Sequence, residues 1–275
     1  MNSIVSEHSV KQSGGAQLRT NAPLLAVKDV GVRFGGIVAL DSISFDLPEN
    51  ILLGLIGPNG AGKTTLFNCL SRLYTPAKGD ILFNGQSILD KPAHRIAELG
   101  IARTFQNLAL FQWMSVFDNV RVGGHSRTRS DYVSDALHLP WVNRQESDLK
   151  RSAEELVEYF DLGEFAGRLV GDLPFGIQKR VEFARALAAQ PKLLLLDEPA
   201  SGLNHEEVGE LGHLIRRVRD ERSVTVLLVE HHMNLVMSIC DRVVVLDFGR
   251  KIAEGTPAQV QKDPEVIRAY LGTTK

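Results

Sequence analysis

Two segments about 130 residues apart carry residue types suited to handling phosphate. The first is Gly57-Pro58-Asn59-Gly60-Ala61-Gly62-Lys63-Thr64-Thr65. It fits G-x-x-x-x-G-K-[ST], a glycine-rich turn whose backbone N–H groups cradle phosphate oxygens. Gly57, Gly60 and Gly62 bring no side chain into the turn and can take positive φ. A helix N-terminus directly after it favours anionic charge. In that pattern Lys63 reaches the β- and γ-phosphates and the Thr64 hydroxyl ligates Mg²⁺. The second segment is Leu193-Leu194-Leu195-Leu196-Asp197-Glu198, an apolar run that ends in two adjacent carboxylates. Asp197 is the candidate magnesium carboxylate. Glu198, expected to point the opposite way if the strand continues through it, is the candidate general base for a water in line with the γ-phosphate. The pair implies binding and hydrolysis of a nucleoside triphosphate. A kinase, a GTPase or a recombinase-like motor could share both segments. No N-K-x-D guanine reader accompanies them, which weakens the GTPase branch.

The elements that must position these residues are legible in outline. Ile51 to Ile56 is continuously apolar, as in a strand buried on both faces. After the loop, Leu66, Leu70 and Leu73 recur at i, i+4, i+7 and predict a helix with one stripe on a sheet. Leu24 to Val32 and Ile43 to Leu47 predict strands of an antiparallel lobe, turned at Gly35-Gly36. Ile81-Leu82-Phe83 with Asn84-Gly85 predicts a further strand and hairpin. Strand signals fade from Val116 to about Ala189, and 108–184 reads as a mostly helical lobe inserted into the sheet domain. Strands return at Leu193–Leu196, Val224–Val229 and Arg242–Leu246, alternating with helical patterns at Glu206–Arg219 and Asn234–Ile239. That alternation predicts an α/β fold with a mainly parallel sheet. The expected division is a flexible polar leader over 1–21, one domain over 22–256, and a tail over 257–275 with a short helix.

Composition narrows the class. The chain has 275 residues, 44% apolar and 23% charged, the profile of a globular protein. A net charge of −2 gives no support to nucleic-acid binding, and none is expected. No run approaches the ~20 apolar residues of a membrane span. Met1 to Asn21 lacks the apolar core of a secretory signal. Cys69 and Cys240, the only cysteines, are expected as reduced core thiols.

Further segments resemble the ATP-binding-cassette ATPases. Val170 to Arg180, followed by Ala184-Arg185-Ala186-Leu187, is similar to their signature region, and Asp197 to Asn204 to their carboxylate pair with the following loop. The resemblance runs from about Leu24 through nearly the whole chain. Within the superfamily the likeness is to ATPases of the LivG type, which energise import of branched-chain amino acids. Its marks are Phe34-Gly35-Gly36, Arg103-Thr104-Phe105-Gln106-Asn107, Glu230-His231-His232-Met233 and Val266 to Gly272. This resemblance implies a P-loop core with an antiparallel β lobe and an inserted helical lobe, and ATP and Mg²⁺ as cofactors. It implies Phe34 stacking on adenine, Gln106 touching Mg²⁺ or the attacking water, and His231 as the switch histidine on the γ-phosphate. No metal site is expected from His231 and His232, because magnesium favours oxygen ligands.

The family's Leu-Ser-Gly-Gly-Gln reads here Leu173-Pro174-Phe175-Gly176-Ile177. In the family this segment caps the γ-phosphate held by a second subunit. Pro174 has neither hydroxyl nor N–H to donate, which leaves Gly176 and the N–H groups of the helix it opens. The implied partners are a second cassette subunit, as a homo- or heterodimer, transmembrane permease subunits and, indirectly, a solute-binding protein. The implied location is the cytoplasmic face of the membrane. Leu108, Leu110, Phe111, Trp113 and Met114 are the candidate groove for a permease helix. Other readings open from sequence are a urea or amide importer, a lipid or polysaccharide exporter, and a soluble non-transport switch.

Overall fold

The computed structural model describes residues 22–104, 108–127 and 140–271. The polar leader, Gln106 and the last four residues lie outside the described residues. Two sheets organise the rest. A four-stranded antiparallel sheet has the order β2-β1-β4-β5, built from β1 (Leu25–Phe34), β2 (Ile37–Leu47), β4 (Lys78–Phe83) and β5 (Gln86–Ser87). The Gly35-Gly36 and Asn84-Gly85 turns fall where composition put them. At the second, Asn84 and Gly85 both take positive φ, the geometry of a two-residue hairpin turn.

The six-stranded sheet has the order β10-β9-β3-β8-β7-β6. Its members are β3 (Leu52–Ile56), β6 (Ile101–Arg103), β7 (Leu193–Asp197), β8 (Thr225–Val229), β9 (Arg242–Asp247) and β10 (Arg250–Gly255). All neighbours are parallel except β9 with β10. The period of two feeds two cores. Leu194, Leu196, Val226, Leu228, Val243 and Val245 face one core, while Leu193, Leu195, Leu227, Val229, Val244 and Leu246 face the other. This explains why the four leucines of β7, good helix formers, lie in a strand: burial on both faces overrides propensity.

Helix α1 (Lys63–Leu70) packs Leu66, Phe67 and Leu70 into the core shared with the antiparallel sheet. Leu73 does not join them. The helix stops at Leu70, Arg72 turns left-handed at φ 60°, and Leu73 is exposed. The expected stripe is therefore one turn shorter. On the other face lie α2 (Val116–Gly123), α3 (Pro140–Tyr159) and α4 (Phe175–Ala188), with no strand among the described residues between Thr104 and Lys192. The apolar stripe Ala153, Leu156, Val157 and Phe160 packs there, as its spacing predicts. Ser115 caps α2, accepting from the Asp118 N–H at 3.0 Å. Helix α5 (His205–Arg222) opens on a reciprocal box in which Asn204 accepts from the Glu207 N–H and Glu207 accepts from the Asn204 N–H. Helices α6 (Met233–Ile239), α7 (Pro257–Val260) and α8 (Pro264–Leu271) complete the chain.

Strand order matters most for chemistry. β8 lies between β3 and β7, so the loops after β3, β8, β7 and β6 all open at the carboxyl edge of one parallel sheet, the usual place for a ligand in such folds.

Candidate functional site

The loop after β3 is shaped by what cannot fit in it. A Cβ on Gly57 would lie 2.1 Å from the Leu246 carbonyl oxygen, so β9 runs directly against the loop. Gly62, at φ 100°, is the left-handed N-cap of α1, and a Cβ there would meet Leu40 and the Ala39 carbonyl below 3 Å. Around Gly60 there is open space, and Asn59, Gly60 and Thr64 are exposed. No side chain caps α1, so its first-turn N–H groups face outward beside the loop. Thr65 and Pro58 are half-buried and Ala61 is buried, its N–H donating to the Pro58 carbonyl at 3.2 Å. The result is a glycine loop whose backbone runs against β2 and β9, with Asn59, Gly60 and Thr64 exposed.

Lys63 is 5% exposed. Its ammonium donates to the carbonyls of Gly57 (2.7 Å) and Pro58 (3.0 Å), so it lies folded along the rim of the loop. Burial pulls its pKa below the usual lysine range, and the charge of Glu198 opposes that shift. The last fact joins the two motifs: a carboxylate 135 residues on lies close enough to be felt by this amine.

Asp197 ends β7 and is buried. Glu198 departs from the expected strand geometry. The strand stops at Asp197, and Glu198 takes φ 47° with its N–H on the Val229 carbonyl at 2.9 Å. Pleat alternation therefore does not set its direction; a left-handed kink at the strand end does. The kink places Glu198 Oε1 2.5 Å from His231 Nε2. A carboxylate only accepts, so Nε2 carries the proton in this contact.

Three residues shape the site without having been singled out for a role by sequence. Glu230, 1% exposed, directly follows β8. Its Oε1 accepts from the Ala200 N–H (2.8 Å), and its Oε2 from the N–H groups of His231 (2.7 Å) and His232 (3.0 Å). One carboxylate thus binds the loop after Glu198 to the loop carrying His231. The available signal was an apolar run closed by a carboxylate, the same pattern as Asp197-Glu198. Arg103, at the end of β6, donates from Nη2 to Asp197 Oδ2 at 2.6 Å and from Nη1 to Asn68 on α1 and to Ser71, its C-cap. From α8, Tyr270 reaches the loop from below; burial raises its pKa to about 12, partly offset by a hydrogen bond to the Gly57 backbone.

Other candidates sit further out. Phe34 is 46% exposed at the end of β1, its ring edge-on to Tyr74 at 5.2 Å. An exposed aromatic pair suits a stacking platform better than a core position. Gly176 is not among the residues gathered at the loop. It lies in the first turn of α4, where a Cβ would meet Glu207 Oε1 at 2.8 Å. Pro174 is the N-cap of α4, and no side chain caps that helix, which leaves its first N–H groups available outward. Phe111 and Trp113 are exposed on the helical side, Trp113 at 89%, whereas Leu110 is core.

A small hard dication suits this donor set. The Thr64 hydroxyl and the Asp197 carboxylate offer oxygen only, and His231 is already engaged by Glu198.

Residues 40–201 match the family model described as ABC transporter. Residues 250–275 match the model described as branched-chain amino acid ATP-binding cassette transporter. The chain is 43% identical over 250 residues to the high-affinity branched-chain amino acid transport ATP-binding protein BraF of Pseudomonas aeruginosa, covering 91% of this chain and 98% of that protein. The figures are the same for LivG of Escherichia coli. Among solved structures, an ATP-binding cassette of an ABC transporter in its ADP conformation superimposes with a TM-score of 0.78 at 28% identity, covering 90% of this chain and 98% of that one.

Proposed function

The chain belongs to the ATP-binding-cassette ATPases of ABC transporters, and from that premise we propose that it hydrolyses ATP to power import of branched-chain amino acids through a membrane permease. The carrying observation is the Glu198–His231 contact opening beside Lys63 at the edge of one parallel sheet. The 250–275 match and the 43% identical relatives, named for branched-chain amino acid transport, support the solute class.

In this reading residues 22–256 form the ATPase domain. Loop residues Gly57 to Gly62 and the first N–H groups of α1 bind the β- and γ-phosphates, with Thr65 completing the turn. Lys63 leaves the loop carbonyls to neutralise phosphate charge as ATP enters. Thr64 and Asp197 would hold Mg²⁺, which when bound would offset the phosphate charge. Phe34 stacks on the adenine. Glu198 accepts the proton of the attacking water. His231 orients Glu198 while Nε2–H donates to it; the same N–H cannot simultaneously serve a phosphate oxygen, so turning His231 to the γ-phosphate frees Glu198 Oε1 for water. Gln106, which follows β6 in sequence, would be the residue that contacts the metal or the attacking water.

The uncapped N-terminus of α4 at Gly176 faces outward, which supports its use across a dimer interface. The second cassette subunit would then supply the same helix to this chain's ATP. Exposed Phe111 and Trp113 support docking of a permease helix, and no helix among the described residues is long and apolar enough to cross a membrane. The subunit is placed at the cytoplasmic face by that docking, with a solute-binding protein acting on the permease. The decisive experiment is Glu198→Gln. ATP binding should persist while turnover falls at least about a thousandfold. Single-turnover hydrolysis at the wild-type rate would refute the assignment.

A further inference from the structure

Asp197 already has a cation. Its carboxylate is buried, and the hydrogen bond reaching it comes from Arg103 Nη2 at 2.6 Å, with the two side chains 6% and 10% exposed. Both terminal nitrogens of the guanidinium are engaged. Nη1 donates to Asn68 Oδ1 at 2.9 Å and to Ser71 Oγ at 3.0 Å, and its plane lies over the Phe67 ring at 5.6 Å. The backbone is equally tied, since Arg103 pairs with Leu195 across β6 and β7 and the next N–H, of Thr104, donates to the Leu195 carbonyl at 2.9 Å. One side chain therefore joins β6, β7 and the helix that begins at Lys63 and Thr64.

We infer that Arg103 is a positioning residue for the metal carboxylate: a resident counter-ion that holds Asp197 in place and weakens its grip on Mg²⁺. The inference rests on the reading of Asp197 as the metal carboxylate. Its physical ground is simple. A buried carboxylate without a partner is strongly disfavoured, so the apo site needs a fixed positive charge, and a guanidinium remains charged at any working pH. That same charge then repels a dication arriving at Asp197 and shares the carboxylate with it. The three donor contacts and the ring keep Arg103 from swinging away, so the metal must bind in its presence. Mg²⁺ would be held through nucleotide and protein together, and released readily once the nucleotide leaves.

The test measures binding of a fluorescent ADP analogue in EDTA and in Mg²⁺, the ratio of the two dissociation constants being the Mg²⁺ effect. Wild type, Arg103→Met, Arg103→Lys and Asp197→Asn are compared, with Mn²⁺ titrations followed by electron paramagnetic resonance as a direct metal readout. Removing the charge should raise the Mg²⁺ effect and tighten Mn²⁺ by at least about tenfold in Arg103→Met, while Arg103→Lys stays within about threefold of wild type. Far-ultraviolet circular dichroism checks folding, and Arg103→Gln, which keeps a donor to Asp197, replaces the Met variant if that one does not fold. A Mg²⁺ effect unchanged or reduced in the neutral variants, with Asp197→Asn abolishing it, overturns the role of Arg103 alone. If Asp197→Asn keeps the full Mg²⁺ effect, the metal-carboxylate reading itself fails and this inference falls with it.

Discussion

Removing the Glu230 carboxylate should loosen two loops at once, and the cost can be worked from its three bonds. Its acceptors serve Ala200, His231 and His232 at 2.8, 2.7 and 3.0 Å. Hydrogen bonds to a charged group contribute roughly 1.5–3 kcal/mol each. They will not be lost equally. His231 and His232 are exposed, so water can take their N–H groups in Glu230→Ala, whereas Ala200 is fully buried and its N–H is left without an acceptor. An orphaned buried donor costs about 1–3 kcal/mol, and the void left by the side chain adds to it. The expected loss is about 2–4 kcal/mol of unfolding free energy, or a Tm lower by about 4–7 °C for a chain of this size. Glu230→Gln should fall between, because an amide offers one acceptor and one donor and can serve only one of the two loops. Urea unfolding of nucleotide-free protein, followed by circular dichroism, measures both variants. ATPase assays should show kcat falling more than KM rises, since the disturbed contact is Glu198 with His231 and not the phosphate cradle. A Glu230→Ala protein within about 0.5 kcal/mol of wild type would refute the reasoning.

Two further outcomes follow from burial and exposure. Burial raises the Cys69 thiol to about 11 and the Cys240 thiol further still, so at pH 8 only about one Cys69 in a thousand is a thiolate. A thiol-disulfide reagent should therefore count no thiol in native protein and two in urea, and rapid labelling of folded protein would contradict the packing. Exposed Trp113 and Phe111 lie on the helical side; Trp113→Gln with Phe111→Gln should leave basal ATPase within about twofold of wild type while abolishing transport in reconstituted vesicles. Transport at the wild-type rate would remove the docking role.

Much of the fold was legible because local signals agreed with one another. Continuous apolar runs marked β3, β7, β8 and β9, and paired Gly or Asn-Gly marked the turns of the antiparallel sheet. The misses have particular causes. Leu73 kept the helical spacing, but spacing does not report where a helix stops, and Arg72 in the left-handed region stopped it. Glu198 was assigned a direction from strand alternation, yet the strand ends one residue earlier. Pro174 is not among the misses: it brings no donor of its own and forms the N-cap of α4, an end that no side chain caps.

The sequence by itself determined what each strand end carries: a glycine cradle with Lys63 and Thr64 after β3, a carboxylate pair after β7, a histidine after β8. Those are local properties, written in residue types a few positions apart and in the apolar run that buries each strand. Which ends meet was decided only by the tertiary structure. Strand order set β8 between β3 and β7, and β6 beside β7, and so brought His231 onto Glu198 across 33 positions and Arg103 onto Asp197 across 94. Parallel neighbours are chosen by how helices and cores pack on both faces of the sheet, a non-local balance that no window of sequence contains. The Arg103 counter-ion of Asp197 was invisible for that reason, although both residues were in plain view.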